Sequence, residues 1–211
     1  MDEWNKKPAG APDPAEKMSA EELAAAGAAA YDAKDYETAL SLYERAAGQG
    51  HAGAQFECAV MYFTGQGTRT DQPRALSWYE KAAAQGDVEA QHVCADMYRK
   101  GEGTDADPAR ALFWYEKAAA LGEVEAQNNC GMMYLKGQGT QANPARALMW
   151  YEKAAAQGCA EAQYICGVMY YNGDGTPVDK ARARMWFEKA AAQTGNKEVR
   201  EGAKAFLQDA F

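Results

Sequence analysis

The chain has 211 residues, 47% of them hydrophobic, and a formal net charge of −8. That is enough apolar material for a core, although much of it is alanine, which lets helices approach closely and contributes little transfer energy per residue. The acidic balance argues against a general nucleic-acid binder, which would show a basic face, and against adhesion to anionic membranes.

Residues 1–17 carry three prolines and no periodicity and read as a disordered tail, in which Trp4 is the only large apolar side chain able to dock. No apolar stretch follows the N-terminus as a secretory leader would require. The alanine-rich run from Leu23 to Tyr31 is too short to span a bilayer. A cytoplasmic protein is the expectation.

From Ser19 a first helical pair is expected to run to Gly50. Ser19 and Glu22 fit a capping box. Gly27, Tyr36, Ala39, Tyr43 and Ala46 fall where a tetratricopeptide repeat places small and aromatic residues between two crossing helices.

From His51 one unit repeats four times. Trp78, Trp114, Trp150 and Trp186 stand at a constant interval, each opening Trp-(Tyr/Phe)-Glu-Lys. Such a fixed period marks an array in which one helical pair buries its apolar face only when the next stacks on it. The first helix of each copy reads Ala-Gln-x-x-Cys-(Ala/Gly)-x-Met-Tyr-x-x-Gly. Ala54, Cys58, Met61, Tyr62 and Gly65 then share one face, and Gly65 is placed to end the helix in the left-handed conformation. Asp71, Asp107, Asn143 and Asp179 are the expected N-caps of the second helices, with Pro108 and Pro144 at the first helical position. Beyond Asn196 the motif is gone. Val199, Ala203, Phe206, Leu207 and Ala210 form an amphipathic stripe, read as a helix that closes the end of the core.

These motifs resemble the Sel1-like repeat, a relative of the tetratricopeptide repeat found in bacteria and eukaryotes. The resemblance covers about residues 51–195 in four in-phase copies. It implies an all-α, right-handed α/α solenoid superhelix of about five helical pairs plus a C-terminal capping helix, used as an adaptor for protein complexes. The expected organisation is a tail over residues 1–17 and a solenoid over 18–211. Its repeats fall at about 18–50, 51–86, 87–122, 123–158 and 159–195, with the cap at 196–211. The family usually has leucine where this chain has Cys58, Cys94, Cys130 and Cys166. Disulfide-rich secreted members carry two cysteines per repeat; this chain has one, so that bridge is not carried over. Equivalent atoms in successive repeats lie roughly 20 Å apart, two interhelix spacings, and a disulfide needs Cα atoms within about 7 Å. These four thiols are therefore expected to be small, buried and unbridged.

The signals for chemistry are weak. Gly65-Gln66-Gly67 and its counterparts follow a helix rather than a strand and recur in every repeat, so they are turns and not phosphate loops. His92 and Asp96 share a helix face, but a metal needs more ligands than that, and no metal or cofactor is expected. No catalytic set is spaced in the sequence. Glu80, Glu116, Glu152 and Glu188 read as solvated partners of neighbouring lysines and arginines. Cys159 occupies the helix-start position held by His51, Asp87 and Glu123 in the other copies, where a thiol tends toward a lowered pKa. A redox or enzymatic role for Cys159, or for a groove carboxylate, is the minor alternative to a binding function.

What changes between copies is one stripe of each first helix. It reads Phe56, Val60, Phe63; His92, Asp96, Arg99; Asn128, Met132, Leu135; and Tyr164, Val168, Tyr171. Neutral drift on an exposed face would favour polar residues, yet eight of these twelve are aromatic or aliphatic. By the resemblance this stripe lines a concave groove. Together with Lys100 and Lys136 it is the expected binding site for a protein or peptide partner of a monomeric, non-enzymatic scaffold. A dedicated inhibitor or immunity-type protein masking one enzyme is the alternative within the binding class. Phe56, Phe63, Tyr164 and Tyr171 would be flat apolar anchors, and replacing Tyr164 and Tyr171 is expected to weaken binding and spare stability. Arg99, Lys100 and Lys136 would form a basic patch for an anionic group.

Overall fold

The computed structural model describes residues 18–210, and the expected N-terminal tail lies outside them. The described residues form eleven α-helices and no strand. They divide into two compact units, with the boundary between Gln85 and Gly86. In the first unit α1 (Ala20–Asp32) pairs with α2 (Tyr36–Gly48), and α3 (Ala52–Thr64) with α4 (Gln72–Ala84), while α2 packs on α3. In the second, α5 (Val88–Lys100) pairs with α6 (Pro108–Ala120), α7 (Val124–Lys136) with α8 (Pro144–Ala156), and α9 (Ala160–Asn172) with α10 (Lys180–Ala191). Within this unit α6 packs on α7 and α8 on α9, and α11 (Lys197–Ala210) packs on α10 and α9.

The helix ends follow local rules. Ser19 and Glu22 form a full capping box. Asp71, Asp107, Asn143 and Asp179 accept amide hydrogens as N-caps of α4, α6, α8 and α10. Gly65, Gly101, Gly137 and Gly173 close α3, α5, α7 and α9 in the left-handed region. The second glycine of the loop has a further reason at Gly67, Gly139 and Gly175. A Cβ on Gly139 would sit 2.2 Å from the Pro108 carbonyl oxygen, so this loop touches the backbone that starts the preceding repeat's second helix. Only glycine allows that approach.

The core is built from the expected residues. Cys58, Cys94, Cys130 and Cys166 are fully buried, as are Met61 and Met133, and all five cysteines are free thiols. Burial pushes the Cys58 thiol up to about 12, with Glu44 adding to it. Gly131 lies against the Tyr151 ring, where a Cβ would meet ring carbons at 2.8 Å. The small residue lets the paired helices close over the aromatic.

Two polar devices join successive repeats. The buried Gln55, Gln127 and Gln163 each donate to a carbonyl of the preceding helix, Ala47, Ala119 and Ala155, at 3.1–3.2 Å. They accept from Gln85, Gln157 and Gln193 at 2.7–3.0 Å. Each side-chain amide thus has both a donor and an acceptor partner, which removes most of the cost of burying it. The second device corrects the expectation of solvated glutamates. Glu116 and Glu152 accept from the Tyr134 and Tyr170 hydroxyls of the following repeat at 2.6 Å. Arg146 and Arg182 donate to the same hydroxyls at 2.9 Å, each with its guanidinium over the tyrosine ring. Glu44, Tyr62 and Arg74 repeat the arrangement in the first unit. Glu188 instead pairs with Arg184 on its own helix, as expected.

Candidate functional site

The variable stripe is mostly half-buried rather than open. In the first unit Phe56 meets the Tyr79 ring edge-on at 5.5 Å, Val60 is half-buried, and Phe63 is 36% exposed. The three residues share α3.

In the second unit the stripe falls into three parts. On α5, Asp96 is the hub. It accepts from the Tyr115 hydroxyl, from Arg99 Nη2 at 3.1 Å and from Lys100 Nζ at 2.9 Å, while Arg99 Nε donates to Tyr115 at 3.1 Å. Burial alone would raise the Asp96 carboxyl. The Tyr115, Lys100 and Arg99 hydrogen bonds outweigh it and hold Asp96 at about 2. This alters the expected basic patch, because Arg99 and Lys100 are already tied to an anion. Two cations less one leave a single net positive charge there, to which Lys136 on α7 adds a second. Asp96 holds three donors and a lowered pKa, which makes its carboxylate a weak proton acceptor near neutral pH.

On α7, Asn128, Met132 and Leu135 are half-buried and Lys136 is exposed. Arg99, Pro108, Met132, Met133, Lys136 and Gln138 enclose a cleft of about 310 Å³. It brings two of the predicted cations to one apolar floor, contributed by successive repeats.

On α9 the expected anchors Tyr164 and Tyr171 are half-buried against a neighbour within the chain and line a cleft with it. Tyr171 meets the Phe206 ring of α11 edge-on at 5.0 Å, and Phe206 stacks on Phe187 at 4.2 Å. Tyr164 lies edge-on to Phe187, and a Cβ on Gly202 would be 3.6 Å from its ring. Val168 is half-buried between them in sequence. The chain's own last helix uses these tyrosines, so their loss must cost stability. The sequence contained the signal in the apolar stripe of α11, but not which face of α9 it would meet.

Cys159 also departs from expectation. Its thiol lies 3.6 Å from Glu161 Oε2. Burial first, and then Glu161, push it up despite the nearby amide of Ala162, the opposite of the lowered pKa expected at a helix start. His92 does not combine with Asp96. It faces Glu123 and Glu125 from the start of α7. A further row went unnoticed in the sequence. Phe113, Met149 and Met185 stand one repeat apart on α6, α8 and α10 and are 49%, 41% and 39% exposed. Among the described residues no helix is long and apolar enough to cross a membrane.

The pattern of the Sel1 repeat matches residues 28–51, 52–87, 88–123, 124–159 and 160–194, which is most of the chain. The chain belongs to the Sel1 repeat family. A crystal structure of c5321, a protective antigen present in uropathogenic Escherichia coli strains and displaying an SLR fold, is 32% identical with a TM-score of 0.79. That match covers 90% of this chain and 41% of the E. coli chain, so the present sequence spans about two fifths of that protein. A Sel1 repeat protein from Oxalobacter formigenes is 34% identical with a TM-score of 0.75, over 88% of this chain and 74% of its own. YrrB, described as a TPR protein with an unusual peptide-binding site, shares the fold at 21% identity and a TM-score of 0.56, over 89% and 92% of the two chains. No curated protein sequence matches significantly. The Sel1 fold is thus established, a repeat fold of the kind that typically binds proteins and is generally non-catalytic.

Proposed function

We propose that this Sel1 repeat chain is a non-enzymatic adaptor that holds a protein or peptide segment on the stripe of α5 and α7, with a carboxylate of the partner in the Arg99–Lys136 cleft. One observation carries this reading. The cleft brings the two cations beside the half-buried Met132 in about 310 Å³, a concave surface apolar enough to seat a side chain and charged enough to orient an anion. Methionine packs adaptably against varied partners. The Asp96 network fixes the Arg99 guanidinium, so less side-chain entropy is lost when a ligand arrives.

The reading predicts partner segments in which an apolar residue lies beside an acidic side chain or a free C-terminus. Selection of random peptides displayed against the full chain tests it. Peptides of that type should be enriched, their association should slow as salt rises, and Lys136→Glu should weaken them at least tenfold. Met132→Glu should weaken them similarly, whereas Glu188→Lys on α10 should not. Enriched peptides that are basic, or that bind Lys136→Glu and Met132→Glu as well as wild type, would place recognition elsewhere.

A further inference from the structure

At the start of α7 two glutamates flank Val124, and the stacking of repeats sets His92 of α5 against both. His92 Nδ1 lies 3.0 Å from Glu123 Oε2, and Nε2 lies 3.9 Å from Glu125 Oε2. One donor atom from each of the three residues fits within 4.8 Å of the others. Their roles differ. Glu123 is the N-cap of α7 and accepts from the amides of Glu125, at 3.0 Å, and Ala126, so its carboxylate is fixed. A fixed carboxylate beside Nδ1 assigns the proton of the neutral ring to that nitrogen and leaves the lone pair on Nε2. The ring is held further by its edge contact with Tyr115, at 5.6 Å and 84°. An imidazole that donates one N–H to a carboxylate while its other nitrogen stays open is the arrangement found for metal-ligating histidine.

We propose that His92 Nε2 and the Glu125 carboxylate bind a borderline divalent cation of the zinc type, with Glu123 orienting the histidine and water filling the remaining positions. Two ligands at about 2.0–2.1 Å from zinc in tetrahedral geometry lie about 3.4 Å apart. The 3.9 Å separation exceeds that by half an ångström, and the Glu125 side chain, 81% exposed, is free to rotate and close it. Imidazole selects zinc, copper or nickel over magnesium and calcium. The adjoining cleft is polar and includes Glu123, Glu125, Glu161 and Asn128, whose buried Oδ1 has no hydrogen-bond partner. Such a surface favours a cation. The two ligands come from successive repeats, so the ion would clasp α5 to α7 beside the Asp96 network and stiffen that part of the stripe. With two protein ligands the site is exchangeable rather than structural.

The chain has only two histidines, which makes the test direct. The full chain carrying Cys159→Ser, which removes the half-exposed thiol as a competing ligand, is titrated with zinc chloride while the imidazole ring signals are followed by NMR. The His92 signals should shift saturably while those of His51 stay put, and magnesium chloride should move neither. Glu125→Gln should weaken the titration at least tenfold, and Glu123→Gln about tenfold through loss of the orienting carboxylate. Zinc should raise the melting temperature of the Cys159→Ser protein and not that of the same protein with His92→Asn. His92 signals unmoved at millimolar zinc, a Glu125→Gln titration identical to that of the parent, or equal stabilisation of the His92→Asn protein would overturn the proposal.

Discussion

The first helices of the second and fourth Trp-containing repeats, α5 and α9, have the same core and opposite stripes. Both bury Ala, Gln, Cys, Met and Tyr in the same register. At the three variable positions α5 carries His92, Asp96 and Arg99, bound to Tyr115, Lys100 and Glu123. There α9 carries Tyr164, Val168 and Tyr171, with α11 laid against both tyrosines. Variation between copies therefore has at least two causes. At α9 the stripe answers a neighbour within the chain. At α5 and α7 it places Arg99 and Lys136 beside Met132, where the proposed function seats a partner.

Removing the intramolecular neighbour should break this contrast with the largest effect. Phe206→Ala deletes a ring that stacks on Phe187 and meets Tyr171, and for a half-buried aromatic we expect a loss of about 2–3 kcal/mol. Amide exchange should quicken in α9 and α10, over Ala160–Ala191, and stay unchanged in α3 and α4. Uniform exchange throughout would mean that α11 does not close the end of the array.

The α5 network should show next, through pH. Its folded carboxyl at about 2 lies below an unfolded value of about 3.9, so protons favour the unfolded chain as the solution turns acid. The contribution of Asp96 is complete above about pH 4 and is lost as pH falls toward 2. It amounts to roughly 2 kcal/mol. Denaturant titrations of wild type and Asp96→Asn should differ near neutral pH and converge at pH 2. A constant difference would mean that the carboxylate charge is not what stabilises this face.

Thiol chemistry gives the smallest and most local contrast. Cys159 should react before Cys58, Cys94, Cys130 and Cys166, because it is half-exposed and they are fully buried. With its thiol pushed up, it should still react more slowly than a free cysteine at the same pH. Faster labelling of any of the four would contradict the assignment of the core face.

What the sequence revealed follows from locality. Asp71, Pro108 and Gly65 act within one turn of chain, so the helix ends could be placed from residues three or four apart. The period of the tryptophans exposed the pairing for the same reason. The Tyr134–Glu116–Arg146 bridge needs partners 18 and 12 residues away across a repeat boundary. The His92–Glu123 contact spans 31 positions. No pattern within one helix announces either. The stripe positions could be found by their variation, but whether α11, Asp96 or solvent covers each one is a property of packing.

The central claim is that recognition belongs to α5 and α7 while α9 is occupied by α11. Amide hydrogen exchange of the full chain, with and without a peptide selected for binding, tests it most directly. The account predicts new protection over Val88–Lys100 and Val124–Lys136, with Ala160–Asn172 and Lys197–Ala210 unchanged. Protection concentrated in α9, or accompanied by faster exchange in α11 as it is displaced, would contradict it.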